Sequence, residues 1–130
     1  MGGRDYYLLE GAKYDTYRKA YRAYVERMLT LAGLSDAPAR ADRIIALETA
    51  MAKVHWSPVQ QRDLMAMLKP MDAAGRAKLA PEFDWPLMLK TAGYERFPTV
   101  IMATSTALTE MGKLYAATPV STWQIGRAHV

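Results

Sequence analysis

Residues 14–33 read Tyr14-Asp15-Thr16-Tyr17-Arg18-Lys19-Ala20-Tyr21-Arg22-Ala23-Tyr24-Val25-Glu26-Arg27-Met28-Leu29-Thr30-Leu31-Ala32-Gly33. Over residues 15–32, Tyr17, Tyr21, Tyr24, Val25, Met28 and Leu31 recur at steps of three and four, which places them on one face of a helix. Arg18, Lys19, Arg22, Glu26 and Arg27 fall mostly elsewhere on the wheel, and Gly33 suits a left-handed C-cap. The expected buried face is therefore the tyrosine-rich one.

The remainder repeats the pattern. A second helix opens at Ser35 or Asp36 and tolerates Pro38 in its first turn. Ala41, Ile44, Leu47, Met51 and Val54 carry it to about His55, and Ser57-Pro58 then breaks it. Residues 59–71 fit either a short helix or an extended connector. Asp72 should cap a small helix through Leu79. Asp84 should cap another, with Trp85, Met88 and Leu89 on its buried face and Gly93 as its stop. Residues 99–102 are the one β-like run, short and isolated. Thr104 or Ser105 opens a helix with Leu108, Met111, Leu114 and Tyr115 on one side, and Thr118-Pro119 starts a last one through Trp123. The expected class is all-α: an irregular multi-helix domain fragment with at most one short extended segment.

Composition narrows the function. With 130 residues one domain is expected, and 51% apolar against 23% charged residues is too apolar for intrinsic disorder. The longest apolar run, residues 64–68, is far short of the roughly 18–20 residues that span a bilayer, and no signal peptide is visible. With no cysteine there is no disulfide and no thiolate metal site. A net charge of +4 is a mild basic excess.

The last six residues, Ile125-Gly126-Arg127-Ala128-His129-Val130, can be back-translated as ATC GGA AGA GCA CAC GTC, the start of a widely used sequencing adapter. Other codons encode the same residues, so six ordinary helical residues are the alternative. On the adapter reading, the protein sequence is residues 1–124, the charge falls by one, and one of two histidines disappears.

No credible active site emerges. No pair of histidines has the zinc-helix spacing. Glu48 and His55, seven apart, could share a helical face, but one histidine and one carboxylate are too few for a catalytic metal; packing at a helix end suits His55 better. Gly2-Gly3 lacks the lysine and helix of a phosphate loop, and nothing marks a nucleophile elbow. The expected catalytic and metal residues of this chain are none, and its substrate-binding residues are unknown. Tyr14, Tyr17, Tyr21 and Tyr24 among Arg18, Lys19, Arg22 and Arg27 could make a basic aromatic face for an acidic partner or nucleic acid. The same residues fit an amphipathic helix that buries rings and leaves hydroxyls at the rim. The nine methionines read as core filling.

Taken in order, several blocks resemble the neprilysin-type zinc metalloendopeptidases, bacterial members in particular. Arg4-Asp5-Tyr6-Tyr7-Leu8 is similar to their Arg-Asp-Tyr-Tyr block. Tyr24-Val25, Met28-Leu29 and Gly33 resemble the helix that follows it. Leu47-Glu48, Ala52-Lys53, His55-Trp56-Ser57 and Arg62-Asp63 continue the pattern, as do Phe83-Asp84-Trp85 and Thr118-Pro119-Val120-Ser121-Thr122-Trp123. Two departures stand out: residues 64–69 replace a usually polar stretch, and Ile125-Gly126-Arg127 replaces a Lys-Ala-Tyr-Leu-type continuation.

The resemblance implies part of a helical N-terminal domain that covers a catalytic domain and helps enclose a cavity for short peptides. It also implies zinc in the parent enzyme, held downstream by a His-Glu-x-x-His helix and a later Glu-x-x-x-Asp helix. None of those residues lies in this chain, so no cofactor is expected in it. The implied partners are the catalytic domain of the same polypeptide and short peptides, with no nucleic acid and no transmembrane segment here. The implied location of the parent is outside the cytoplasm. Arg4, Arg62 and Asp63 are expected in ion pairs rather than on substrate. The alternative is a stand-alone small helical binding module.

Overall fold

Arg18 projects from the first long helix and donates from Nη1 to the carbonyl oxygens of Tyr6 (3.1 Å) and Leu9 (2.8 Å). Those carbonyls end a four-residue helix, α1 (Asp5–Leu8), too short to stand alone. Tyr6 also sets its ring against Tyr14 and Tyr17, with centroids 6.0 and 5.6 Å apart. The sequence reading did not separate α1 from the block preceding α2 (Ala12–Leu31).

The computed structural model describes residues 3–127. Met1, Gly2 and His129 lie outside the described residues, as does the tail beyond Arg127. The chain divides into two compact units, Met1–Lys53 with Thr118–Val130 and Val54–Ala117.

In the first unit α2 is followed by α3 (Ala37–Val54). Gly33 takes φ +73°, and the Leu34 N–H donates to Leu29 O (3.1 Å), closing α2 in the left-handed way expected of that glycine. Asp36 also turns left-handed before α3 begins. The core is Val25, Leu29, Ala37, Ala41 and Ile44, with Tyr21 and Leu34 packed on it. This corrects the expected buried face of α2. Val25 and Leu29 are sealed, but Leu31 is 72% exposed, and Tyr17, Tyr24 and Met28 are also exposed. The apolar arc of α2 is wider than the arc its neighbours cover, and the open stripe lies about a third of a turn from Val25 and Leu29. The unit also holds α8 (Val120–Arg127), whose backbone continues through Ile125–Arg127.

In the second unit, residues 59–71 resolve into three pieces. Ser57 and Gln60 cap each other: Ser57 N–H donates to Gln60 Oε1 (2.8 Å) and Gln60 N–H to Ser57 Oγ (3.3 Å), opening a 3-10 turn at Gln60–Arg62. Asp63 caps α4 (Leu64–Met67), and β1 (Pro70–Met71) follows. The β-like run is β2 (Val100–Ile101), and it is not isolated: it pairs antiparallel with β1, Pro70 opposite Ile101 and Met71 opposite Val100. Pro70 tolerates this because the sheet has two strands, and each strand is an edge.

Asp72 and Asp84 cap α5 (Ala73–Leu79) and α6 (Trp85–Thr91) as their positions predict, accepting from Gly75 N–H (2.8 Å) and Leu87 N–H (3.0 Å). Gly93 ends α6 with φ +74°. The core gathers Ala80, Trp85 and Met102, with Phe83, Leu108 and Val100 against them. Trp85 is buried, but Met88 is 47% exposed, so the expected shared face holds only for Trp85 and half-buried Leu89. The cause is local: the Trp85 indole is pinned by its Nε1–H to Ala80 O (2.9 Å), which orients that end of α6 inward. Thr109 of α7 (Ser105–Ala117) donates to Leu79 O (2.8 Å), tying α7 to the end of α5.

Two substitutions separate the sealed and open faces of α2. Leu29→Ala should lower unfolding free energy by about 2–5 kcal/mol, whereas Leu31→Ser should change it by less than about 0.5 kcal/mol. Equilibrium denaturant unfolding of both variants checks this.

Candidate functional site

Glu48 stands on α3 where its carboxylate meets two tyrosines. Tyr7 OH donates to Oε2 (2.9 Å) and Tyr21 OH to Oε1 (3.0 Å), so both oxygens are engaged. Burial, and then the hydrogen bond to Glu48, pushes Tyr21 up to about 12 and Tyr7 further above the usual phenol range. Both hydroxyls are therefore held neutral as donors, which suits clamping and does not suit proton transfer near neutrality. The seven-residue spacing would let Glu48 and His55 share a helical face. The tyrosines hold that carboxylate instead, and His55 is exposed rather than packed.

The other singled-out residues have structural roles of several kinds. Arg4 pairs with Asp5 (3.2 Å). Asp63, expected in an ion pair, caps α4 through Ala66 N–H (3.0 Å). Arg62 is exposed. Of the cations beside the tyrosines, Arg18 is held by Asp15 and the α1 carbonyls. Arg22 bridges Glu26 (2.8 Å) and Asp42, whose carboxyl its hydrogen bond holds below the usual range. Among the described residues no three of His, Cys, Asp and Glu come together as a metal site.

The feature that sequence reading missed lies in the second unit. A cleft of about 690 Å³ is walled by residues of α5, α6 and the connection between them, including Phe83, Trp85 and Leu89, with Glu95 from beyond α6. Arg76 lines it at only 4% exposure. Its sequence signal is slight, one arginine in a seven-residue helix flanked by alanine and glycine.

The pattern that defines Peptidase family M13 matches residues 1–125. The chain belongs to peptidase family M13. It is 24% identical over 121 residues to human endothelin-converting enzyme-like 1, covering 89% of this chain and 16% of that protein. The structure is similar to the zinc metalloprotease Zmp1 of Mycobacterium tuberculosis in its open state, with a TM-score of 0.86, 25% identity and 96% of this chain covered. The inhibitor complex of the same metalloprotease shares the fold, with a TM-score of 0.85 and 24% identity. The chain spans 20% of the length of each of these two metalloprotease chains. The all-α class and the neprilysin-type resemblance agree with these matches, and what they identify is the N-terminal helical region of the family.

The Glu48 clamp carries a pH dependence. An unfolded tyrosine ionises near pH ~10, and folding moves Tyr21 to about 12. Its contribution to stability is therefore complete below pH ~10 and lost as pH rises through the folded value. Thermal unfolding from pH 9 to 12 should show a falling Tm, and absorbance titration should show two late tyrosines. In Glu48→Ala their midpoints should shift down, and stability should drop by about 1–3 kcal/mol.

Proposed function

We propose that this chain is part of the helical N-terminal domain of a zinc-dependent metalloendopeptidase, standing over the catalytic part of the same polypeptide. There it narrows the approach to the active-site cavity, so that short peptides enter and folded proteins do not. The observation that carries this reading is the coincidence of the M13 match over residues 1–125 with a backbone like that of a zinc metalloprotease over 96% of the chain.

On this reading the chain supplies shape, not chemistry. In the parent, zinc would polarise a peptide carbonyl and activate water. The described residues do not fit that ion: Glu48 is occupied by tyrosines and His55 is solitary and exposed. What its residues contribute is a set of helices locked by short-range caps and by the Tyr7–Glu48–Tyr21 clamp. Among the described residues no helix is long and apolar enough to cross a membrane. A location of the parent outside the cytoplasm, whether secreted, periplasmic or membrane-anchored, belongs to the proposal. So does the reading of 125–130 as adapter.

The decisive experiment begins with the uninterrupted reading frame from clean genomic DNA. It should extend past residue 124 and encode a His-Glu-x-x-His helix. The complete protein should cleave short peptides in a chelator-sensitive way and spare the same sequence inside a folded protein. The 130-residue chain alone should cleave neither at any zinc concentration. A genuine stop directly after Val130, or chelator-sensitive turnover by the chain alone, would sink the proposal. Equal cleavage of the folded substrate would remove the access-limiting role.

A further inference from the structure

The cleft of the second unit contains an unbalanced charge. Arg76 is 4% exposed, and a guanidinium remains protonated under any ordinary condition. Its Nη1 donates to Met71 O (2.8 Å), while Nε is buried with no hydrogen-bond partner among the described residues. Among the described residues it forms no ion pair. The C-terminal end of α5 offers it a favourable dipole, but a dipole end does not supply the planar acceptor that the guanidinium fork matches. Lys90 and Glu95, which also line the cleft, carry opposite charges, so the lining keeps the net positive charge of Arg76.

The remaining walls are apolar and aromatic. Phe83 and Trp85 meet edge to face, with centroids 5.7 Å apart at 83°. The indole N–H of Trp85 is already given to Ala80 O, so its ring presents only an apolar surface. Leu89 completes that surface. A buried cation that lacks an anion, beside an aromatic wall that lacks a polar atom, selects one chemistry: an apolar side chain carrying or adjoining a single carboxylate.

We propose that the Arg76 cleft is a docking site for such a segment, an apolar stretch with one carboxylate, contributed by the part of the M13 polypeptide beyond this chain. Charge complementarity and extent argue for this occupant, because the chain spans 20% of each of the two metalloprotease chains it resembles. The inference rests on the reading that a longer M13 polypeptide exists, and it adds where and by what chemistry the remainder attaches.

The test uses N-acetylphenylalanine as a surrogate and N-acetylphenylalaninamide as its uncharged control, titrated into the ¹⁵N-labelled 130-residue chain while the Trp85 indole resonance is followed. The acid should bind at least about tenfold more tightly than the amide. Arg76→Met should erase that preference. Should Arg76→Met fail to fold, Ala73→Glu serves instead. It changes an exposed residue of the same cleft, three positions before Arg76, and gives the guanidinium an intramolecular partner. It too should erase the preference. Equal affinity for acid and amide, or a preference that survives either substitution, overturns the site. In the complete protein the cleft should be filled, and N-acetylphenylalanine should leave the Trp85 indole unmoved. Binding there as tight as to the isolated chain overturns the occupant. Peptide cleavage by the complete protein is a separate readout: its absence would remove the functional reading and leave the Arg76-dependent preference standing.

Discussion

One carboxylate joins three helices of the first unit. Glu48 on α3 takes hydrogen bonds from Tyr7 on α1 and Tyr21 on α2. Removing it would leave two part-buried hydroxyls without an acceptor, and removing either tyrosine would leave a lone pair short of a donor. The clamp also explains how a four-residue helix persists, since α1 is held at one side by Tyr7 and at its C-terminal carbonyls by Arg18. Around it the apolar core is small, with Val25 and Leu29 as the largest side chains that are fully buried. Polar contacts of this kind position what a modest core cannot fix alone.

The second unit uses a different device. Its elements are short, and several of its helices begin at a side-chain cap or are tied by a tryptophan or threonine to a backbone carbonyl. Asp63, Asp72 and Asp84 start three helices, Trp85 fastens to Ala80 O, and Thr109 fastens to Leu79 O. Local caps define where helices begin, but they do not close a surface. The open stripe of α2, the exposed Leu64 and Met65 of α4, and the charged cleft at Arg76 are surfaces that further protein could cover.

Where the sequence was read correctly, the signals were local. Gly33 and Gly93 stop helices because only a residue without Cβ enters the left-handed region cheaply, and Asp72 and Asp84 cap because their carboxylates reach an N–H three residues on. The partner of the strand at Val100–Ile101 was not legible, because Pro70–Met71 lies some thirty residues earlier and two residues carry too little pattern to announce a strand. Nor was the side of α2 that would be sealed. Its tyrosines, methionine and leucine are apolar enough for burial, and the sequence does not say that α3 covers only the arc of Val25 and Leu29. The place of His55 at a helix end suits packing, yet His55 is exposed, because exposure depends on what surrounds that end.

By itself the sequence determined the all-α class, the caps at Asp72 and Asp84 and the stops at Gly33 and Gly93, and, through ordered blocks from Arg4 to Trp123, membership of peptidase family M13. These follow from interactions within a few residues or from residue identities in order. Only the tertiary structure decided that Glu48 serves two tyrosines, that the β-like run has a partner, and that Arg76 is buried without a counter-charge among the described residues. Each of those depends on which distant groups are brought within hydrogen-bonding range, and a one-dimensional pattern does not encode that distance. Arg76 shows the difference most sharply: in the sequence it is one cation among many, and in the fold it is a buried charge lining an aromatic cleft.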